Sequence, residues 1–357
     1  MTKRVIGVDA HVLTGKFQGS RTYLRHILEQ IACLDTTNSY IIYSFDPDET
    51  ARMLPYANFV HKRIAVRSSA PRLLFYWPYI QLRDRLDYLV THYISPLVFK
   101  QRQVMIIHDI LYETHAQYFT KRFALQFGTM TRLCAPRARA IITISEATKR
   151  SLVQCYGVDP ERIYICPPGT EGLREPDATQ TAKAFAYKPY VLYVGRLEPR
   201  KNLVTLIDAF EKLNRDGLKL IIIGHEDFRC MDVLERIERN PDVIHLKGIS
   251  DSDLEAFYSN AELFVFPTFA EGFGIPILEA MSHRVPVICS NTTSLPEAGG
   301  DLVHYFDPNT EDAGSILADK MRDVLDSHEG YPLEELKEHL GCFTWRRAAK
   351  GIVRIFE

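Results

Sequence analysis

Two glutamates lie eight positions apart in the stretch FAEGFGIPILE, residues 269–279. Gly274 permits close backbone approach or a positive φ, and Pro276 suits the first turn of a helix, where its missing amide would have no partner. The stretch therefore predicts a loop that leads into a helix. Helical side chains lean toward the helix N-terminus, so Glu279 can lean back toward the loop that carries Glu271, and both carboxylates can line one ligand. The alternative is a solvated Glu271 and a Glu279 that only complements the helix dipole.

A second loop, GRLEPRKN at residues 195–202, brings two cations to the end of one predicted strand. Gly195 frees the backbone there, and Arg196 and Lys201 supply donors that form charge-assisted bonds to phosphate oxygens. The alternative is a pair of solvated charges at a helix start. Because the positive end of the helix dipole disfavours cations unless an anion lies among them, the loop favours a phosphate or diphosphate ligand.

A third loop, SNTTSLPEAGG at residues 290–300, adds small hydroxyl and amide groups. Two carboxylates would repel a diphosphate, so their suitable partners are hydroxyl groups. If one glutamate binds sugar hydroxyls and the other binds ribose hydroxyls, the diphosphate is left to Arg196, Lys201 and the amides around Gly274. A nucleotide diphosphate-sugar satisfies all of these groups at once.

Short apolar strands alternate with helical patterns in both halves of the chain, which indicates parallel sheets with crossover helices. The stretch TEGLREPDATQTAKAFAYKP between the halves lacks this periodicity and predicts a linker. We therefore predict two doubly wound α/β domains of the Rossmann type, at residues 1–172 and 187–343, with a linker at 173–186. The last segment, 344–357, predicts a helix. The ligand of such a pair is expected where strand C-termini of both domains face a shared cleft.

The first domain offers weaker signals. Gly15 and Gly19 lie in the loop between the first strand and the first helix, where glycines form either a turn or a site. His108, in VMIIHDILYETH, follows a predicted strand, and a histidine in that position is also compatible with a purely structural role. HDILYETH lacks the His-Glu-x-x-His arrangement of zinc proteases, so it is not a motif of that kind.

Four stretches, GRLEPRKN, FAEGFGIPILEAMSHRVPVICSNTTSLPE, HDILYETH and ITISEATKRSL, closely resemble the retaining GT-B glycosyltransferases of family 4, a large group that includes bacterial mannosyl- and glucosyltransferases. The resemblance covers essentially the whole chain and is strongest between residues 190 and 300. It implies a GT-B fold, in which two Rossmann-like domains face a central cleft and the C-terminal helix returns to the N-terminal domain. It also implies metal-independent transfer of a hexose with retained anomeric configuration, in which the leaving phosphate oxygen helps to deprotonate the acceptor.

The resemblance assigns roles in the second domain. Glu271 would contact hydroxyls of the transferred sugar, and Glu279 would contact the ribose hydroxyls. Arg196 and Lys201 would hold the diphosphate and stabilise it as a leaving group, which is the electrostatic contribution expected to dominate when charge develops on a departing group. The rest of the donor cradle would come from backbone at Gly195, Phe273, Gly274 and Ile275.

In the first domain the resemblance implies two further contacts. Gly19 would lie in a flexible loop near the donor diphosphate and the acceptor, although this loop departs from the double-glycine form common in relatives. His108 would contact the donor sugar, with Asp109 either orienting it or capping the turn.

The composition is that of a globular protein, with 357 residues, 46% hydrophobic content and a net charge of −2. The charge is uneven, with 22 Lys+Arg against 13 Asp+Glu up to residue 170 and 21 against 32 beyond it. A basic first half suits an anionic partner, which is lipid head groups, a diphosphate-linked acceptor or simply the other, acidic domain. Seven scattered cysteines without a C-x-x-C pair predict a reducing, cytoplasmic location, and the interrupted apolar start MTKRVIGVDAHVL predicts a strand rather than a signal peptide.

Residues 61–85 mix basic side chains with Phe75, Tyr76, Trp77 and Tyr79. Such a segment either lies on an anionic bilayer, which would suit a lipid-linked acceptor, or packs its aromatic rings into the domain core. We expect a nucleotide-sugar donor, a glycan or lipid-linked sugar acceptor, peripheral contact with the inner membrane or other glycan-assembly enzymes, and no nucleic acid. Frequency within the resembling family favours GDP-mannose and a bacterial surface polysaccharide. The alternatives are another GT-B enzyme, such as a nucleotide-sugar 2-epimerase or a phosphorylase, and a non-catalytic nucleotide-sugar-binding subunit.

Overall fold

The structure is a computed structural model that describes residues 3–14, 19–170, 172, 184, 186–227, 229–327 and 330–357. Gly15 and, apart from residues 184 and 186, the predicted linker 173–186 lie outside the described residues. The chain divides into two compact units, the first formed by Met1–Gly169 with Phe343–Glu357 and the second by Thr170–Cys342.

The first unit is built on a seven-stranded sheet in which every pairing is parallel. Its order is β3-β2-β1-β4-β5-β6-β7, so the direction of strand addition reverses between β1 and β4. The strands are β1 Val5–Asp9, β2 Ser39–Ser44, β3 Phe59–Arg63, β4 Tyr88–His92, β5 Gln103–Ile106, β6 Ala140–Thr143 and β7 Ile163–Ile165.

Helices lie in the connections between successive strands, as is usual for parallel neighbours, except that β4 and β5 are joined by a stretch with only a 3₁₀ turn at Lys100–Arg102. The helices are α1 Gly19–Leu34, α2 Pro47–Met53, α3 Ser69–Pro71, α4 Trp77–Arg83, α5 Leu111–Thr114, α6 Lys121–Cys134 and α7 Glu146–Tyr156, and a π-helix at Arg72–Tyr76 precedes α4. The start of α7 shows why the sequence folds this way: the Ser145 hydroxyl accepts a hydrogen bond from the amide of Thr148 at 3.1 Å and caps the helix.

The second unit repeats the plan with a six-stranded parallel sheet of order β10-β9-β8-β11-β12-β13, which reverses direction between β8 and β11. Its central strands are continuous apolar runs, as expected of parallel strands buried on both faces. The strands are β8 Tyr190–Val194, β9 Lys219–Ile223, β10 Val243–Leu246, β11 Leu263–Phe266, β12 Val287–Ser290 and β13 His304–Phe306. The helices are α8 Leu203–Leu213, α9 Met231–Arg239, α10 Asp251–Asn260, α11 Ile275–Ser282, α12 Leu295–Gly299, α13 Ala313–Ser327 and α14 Leu333–Gly341.

The C-terminal helix, α15 Trp345–Val353, belongs to the first unit. The Trp345 ring stacks on His26 of α1 with centroids 4.7 Å apart and lies edge-on to Tyr23 at 5.9 Å. A side chain at Gly169 would collide with the Trp345 backbone, so the chain passes close to this helix just before it leaves the unit. The predicted pair of Rossmann-like α/β domains and the return of the C-terminal helix are confirmed.

The basic and aromatic segment 61–85 combines both predicted arrangements. Trp77 is fully buried and lies edge-on to Tyr43 at 5.4 Å. Phe75 and Tyr79, in contrast, are 73% and 58% exposed. Within the part of the chain that the structure describes, every helix is too short or too polar to cross a bilayer.

Candidate active site

The candidate site of the second unit lies where its sheet reverses direction. The loop after β8 and the loop after β11 leave neighbouring strands at this switch point, which is where open α/β sheets bind ligands. The loop after β11 leads into α11, and Gly274 caps that helix with a φ of 108°. A Cβ at Gly274 would lie 2.8 Å from Leu295 Cδ2, so both backbone shape and space require glycine here. The predicted loop and helix start are therefore present.

The Glu271 carboxylate is the centre of a largely buried charge cluster. One oxygen, Oε1, accepts hydrogen bonds from Lys201 Nζ and from the Thr268 hydroxyl at 3.2 Å. The other oxygen, Oε2, lies 3.0 Å from an Arg200 guanidinium nitrogen. Burial alone would raise the pKa of Glu271, but Arg200 and Lys201 hold it at about 2. We call Glu271, Lys201 and Arg200 the Glu271 cluster.

Lys201 ends a 3₁₀ turn, Pro199–Lys201, directly before α8 and is only 9% exposed. Its ammonium group also lies 5.2 Å from the centre of the Phe266 ring. Burial lowers the pKa of Lys201 even though Glu271 raises it. The lowered pKa of Glu271 favours its charged form, whereas the lowered pKa of Lys201 disfavours its charged form, because burial costs free energy for every charge in the cluster. The lysine charge therefore depends on an anion beside it.

Arg200 ties the two loops together. One of its guanidinium nitrogens donates to the carbonyl of Ala270 and another lies 2.5 Å from a Glu198 carboxylate oxygen. The backbone carbonyl of Arg200 accepts hydrogen bonds from the amide of Phe269 at 2.9 Å and from the Thr268 hydroxyl at 3.0 Å. Arg200 was not predicted as a site residue, although it lies beside Lys201 in GRLEPRKN, because these contacts are not visible in the sequence.

Arg196 is placed differently from Lys201. Its side chain is 49% exposed and contacts Asp227 at 3.2 Å. Gly195 has a φ of 155°, and a Cβ there would lie 2.6 Å from the Tyr193 hydroxyl oxygen, so this turn requires glycine. The structure thus brings Lys201 and Glu271 together and directs Arg196 to a partner on the following loop.

Glu279 lies one turn into α11 and has a fixed partner. The hydroxyl of Tyr258, a side chain only 2% exposed, donates to Glu279 Oε2 at 2.7 Å. Phe273 is also buried, so it can offer a ligand backbone rather than ring surface, and Ile275 is the first residue of the helix. Tyr258 was not predicted, because nothing in its helical pattern distinguishes it from a core residue.

The third predicted loop completes the site. The Glu271 amide donates to the Thr293 hydroxyl at 3.0 Å, and the Ser294 hydroxyl donates to the Glu271 carbonyl at 2.9 Å. Thr292 donates through its hydroxyl to the Thr268 carbonyl at 3.3 Å. Both sides of the Glu271 backbone are therefore held by the loop after β12.

In the first unit, His108 lies two residues beyond β5 and is 8% exposed. Burial lowers its pKa to about 4, so the ring is neutral at neutral pH. Asp109 Oδ1 accepts from the amide of Leu111 at 3.1 Å, as the predicted turn cap would. Gly19 is the first residue of α1, and a Cβ there would meet open space.

Two family models match nearly the whole chain between them. The model described as Glycosyltransferase Family 4 matches residues 18–171, and the model described as Glycosyl transferases group 1 matches residues 177–339. This chain belongs to glycosyltransferase family 4. The Glu271 cluster, Arg196 and Glu279 all lie within the group 1 match, whereas His108 and Gly19 lie within the other.

Curated relatives agree with this assignment. The family 4 chain is 34% identical over 252 residues to O-antigen chain mannosyltransferase B of Escherichia coli, and the match covers 65% of the chain and 64% of that protein. It is 29% identical over 224 residues to O-antigen chain mannosyltransferase RfbU of Salmonella typhimurium, covering 62% of the chain and 60% of the relative. The chain thus spans less than two thirds of the length of these two relatives.

Solved structures agree on the fold. A glycosyltransferase from Rickettsia africae superposes with a TM-score of 0.75 at 15% identity and covers 99% of the family 4 chain and 98% of its own. Anabaena HepE in complex with UDP superposes with a TM-score of 0.72 at 18% identity, with 99% of each chain covered. At these identities the likeness shows the GT-B fold alone.

A metal centre is not evident among the described residues, since no three histidine, cysteine, aspartate or glutamate side chains there have an arrangement that could hold an ion. Metal independence of the family 4 chain stays a prediction. The cations that the site offers to a negatively charged ligand are those of Lys201, Arg200 and Arg196.

Proposed function

We propose that this chain is a retaining glycosyltransferase that moves a hexose from a nucleotide diphosphate-sugar to a hydroxyl group of a glycan or lipid-linked acceptor. GDP-mannose is the favoured donor, because two curated relatives are named O-antigen mannosyltransferases. A UDP complex of a protein with the same fold supports a nucleotide donor but leaves the base open. The product would be part of a bacterial surface polysaccharide, made on the cytoplasmic side of the membrane.

The observation that carries this proposal is the Glu271 cluster at the switch point of the second sheet. The buried Lys201 and the largely buried Arg200 share the largely buried Glu271 carboxylate, and burial lowers the pKa of Lys201 although Glu271 raises it. A charged lysine in such a place gains from any further anion. A diphosphate that enters here supplies that anion and removes the need for Lys201 to rely on Glu271.

We assign the other contacts to the donor from where each site residue lies. Lys201 and Arg196 would hold the diphosphate together with amides at the start of α11, where the helix dipole attracts negative charge. Glu271 would accept from sugar hydroxyls, and Glu279, fixed by Tyr258, would accept from ribose hydroxyls. His108, neutral in its buried position, would contact the donor sugar.

The chemistry would be transfer on one face of the sugar. The bond between the anomeric carbon and the leaving phosphate oxygen breaks, the acceptor oxygen bonds to the same face, and the acceptor proton moves to the departing phosphate. Lys201 and Arg196 would stabilise the negative charge that develops on the diphosphate, and this needs no metal. The Glu271 carboxylate is already engaged by two cations, which argues against its serving as a free nucleophile.

Thermal stabilisation by GDP, UDP, ADP and dTDP sugars tests the donor site, since a ligand that binds only the folded state raises its stability by about 2.7 kcal/mol at a hundred times its Kd. We expect a GDP-sugar to give the largest shift. Glu271→Ala should abolish transfer and retain nucleotide binding, whereas Glu279→Ala should weaken binding of the nucleotide itself. The exposed Glu235, which pairs with Arg239 along α9, provides the matched control Glu235→Ala. Equal and small effects from both site variants would defeat the assignment.

Product analysis separates the alternatives. A glycosyltransferase consumes the nucleotide-sugar only when an acceptor is supplied, apart from slow hydrolysis, and NMR of the product shows whether the anomeric configuration is retained. A 2-epimerase would convert the donor without an acceptor. A non-catalytic binding subunit would bind the donor and leave it intact.

We also propose that the first unit contacts the membrane that carries a lipid-linked acceptor. Phe75 and Tyr79 are exposed, while Arg83 lies over the Tyr79 ring at 5.6 Å, so aromatic and cationic groups share one surface. Co-sedimentation with anionic and zwitterionic vesicles tests this. Phe75→Ser with Tyr79→Ser should reduce binding to anionic vesicles, whereas Leu333→Ser, at an exposed apolar position of the second unit, should not. Equal binding to both vesicle types would contradict the proposal.

A further inference from the structure

Three histidines, His11, His92 and His108, lie side by side at the carboxyl ends of neighbouring strands in the first sheet. We call them the histidine row. His11 follows β1 by two residues, His92 ends β4, and His108 follows β5 by two residues. These strands are neighbours in the order β1-β4-β5, and the sheet reverses direction between β1 and β4. The His11 and His92 rings are 6.4 Å apart, and the His92 and His108 rings are 6.2 Å apart. The first unit therefore places imidazoles at the position where a doubly wound sheet binds ligands.

Asp9 fixes the orientation of His11. The carboxylate, only 4% exposed, lies 2.7 Å from His11 Nδ1 and also accepts from the His11 amide at 3.3 Å. Burial alone would raise the pKa of Asp9, but His11, Arg72 and His92 together hold it below its usual value, so the group is ionised. Because a carboxylate only accepts, the contact assigns the ring proton of neutral His11 to Nδ1. The lone pair of His11 Nε2 is then available to accept from a ligand.

His92 has capacity for hydrogen bonds that the protein does not use. Both of its ring nitrogens are buried and have no partner among the described residues, and the same holds for Nε2 of His108. Burial first, and then the neighbouring His108 and His11, lower the pKa of His92 to about 3, so the ring is neutral and offers one donor and one acceptor. Buried polar groups without partners destabilise a folded protein, so sites that keep them are candidates for ligand binding.

His61 of the same unit shows what a structural histidine looks like here. It lies on β3, and its two ring nitrogens contact the Thr50 hydroxyl and the Leu54 carbonyl, each at 3.1 Å. Every polar atom of the His61 ring thus has a protein partner, in contrast to His92.

The charges around the histidine row balance. Arg72 is buried, lies over the Phe45 ring at 5.5 Å and helps to lower the pKa of Asp9. Its Nε atom has no partner among the described residues and offers one more donor. One buried carboxylate and one buried guanidinium balance each other beside the neutral His92 and His108 rings, which favours an uncharged polar ligand over an anion. The described residues also show no arrangement here that could hold a metal ion.

We propose that Asp9, His11 and His92 form a binding site for the hydroxyl groups of the acceptor sugar, in which Asp9 positions His11. This rests on the proposed function and names the residues of its acceptor site. His11 Nε2 accepts from one hydroxyl, and the His92 ring both accepts and donates. His108, to which we assign the donor sugar, is stacked on His92, so the two sugars meet at adjacent rings.

NMR of the histidine ring nitrogens in the full chain tests the site directly, with methyl α-D-mannopyranoside as the probe. We expect the probe to shift the His11 and His92 ring signals and to leave those of His61 unchanged. The ring proton of His11 should be found on Nδ1, and Asp9→Asn should reduce the population of that tautomer. Unchanged His11 and His92 signals at saturating probe, or a His11 proton on Nε2, would overturn the proposal. This readout needs no donor and no turnover, so it stands apart from the test of the proposed function.

Steady-state kinetics of three variants provide a second test of the acceptor site. His11→Gln and His92→Leu should each raise the acceptor KM about fivefold or more, the effect of losing one or more hydrogen bonds, and leave the donor KM within about twofold. His92→Leu should not lower the unfolding stability, because its ring has no protein partner to lose. His61→Gln should show the reverse, a lower stability and an unchanged acceptor KM. Transfer by His11→Gln and His92→Leu with the wild-type acceptor KM would refute the site, whereas absence of transfer by the wild type would instead refute the proposed function.

Discussion

Replacing Glu271 by glutamine tests the electrostatics of the Glu271 cluster. The substitution keeps the size of the side chain and removes the negative charge that faces Lys201 and Arg200. Lys201 and Arg200 then remain largely buried with one fewer anion beside them. We therefore expect the E271Q protein to have a lower free energy of unfolding than the wild type at neutral pH.

The size of this loss follows from the pKa of Glu271 and from the general cost of breaking a buried ion pair. The pKa of Glu271 lies at about 2 instead of the ordinary 4.5, and this difference corresponds to about 3 kcal/mol of stability at pH 7. Removing one partner of a buried ion pair costs about 3–5 kcal/mol in general. The Lys201 and Glu271 side chains are 11% and 13% exposed, so solvent screens them little. Because burial lowers the pKa of Lys201, we adopt the lower figure, about 3 kcal/mol.

The loss should depend on pH in a definite direction. A carboxylate whose pKa is lowered by folding contributes fully above its unfolded pKa of 4.5, and this contribution disappears as the pH falls through about 2. The difference between wild type and E271Q should therefore shrink from about 3 kcal/mol at pH 7 to about 1.5 kcal/mol at pH 3.

Urea unfolding followed by circular dichroism at both pH values measures these differences. Glu235→Gln, which removes one charge of an exposed pair on α9, is the control and should change the unfolding free energy by less than about 0.5 kcal/mol. A loss below about 1 kcal/mol for E271Q at pH 7, or an equal loss at pH 3, would show that the cluster is not the buried charge site described here.

Two further substitutions test how α11 is presented to a nucleotide. Gly274→Ala should lower the unfolding free energy by about 2 kcal/mol, because of the φ of 108° and the approach of Leu295, and should weaken nucleotide binding measured by calorimetry; an unchanged affinity would contradict a role for this turn. Tyr258→Phe removes the hydrogen bond to Glu279 and should cost about 2 kcal/mol in urea unfolding together with a several-fold loss of nucleotide affinity. Wild-type affinity in this variant would mean that Glu279 needs no anchoring to act.

Local patterns were sufficient to predict the elements that carry the site. Central parallel strands such as β9 are buried on both faces, so they appear as unbroken apolar runs. Gly274 and Pro276 marked the start of α11 because each has a backbone restriction that suits that position. Lys201 lies just outside α8, because it ends a 3₁₀ turn and Asn202 adopts a φ of 56° before the helix begins at Leu203.

Contacts between residues far apart in the sequence could not be predicted from local patterns. Lys201 and Glu271 are far apart in sequence and meet only because β8 and β11 are neighbours at the switch point, a fact of sheet order rather than of spacing. Arg200 was overlooked for the same reason, since its value comes from the Ala270 and Phe269 backbone that it reaches. The proximity of the three histidines could not be predicted from the sequence, because β1, β4 and β5 bring them together from three separate stretches.

The ion pair changes how the two glutamates are understood. From the sequence, the cations belong to the diphosphate and the carboxylates are left with hydroxyl groups. In the structure, Lys201 and Arg200 are instead the partners of Glu271. If the diphosphate takes Lys201, as we propose, the Glu271 carboxylate loses one partner and gains the capacity to accept from sugar hydroxyls. Occupation of the diphosphate site would then prepare the sugar site, so a donor that carries both groups is favoured over either part alone.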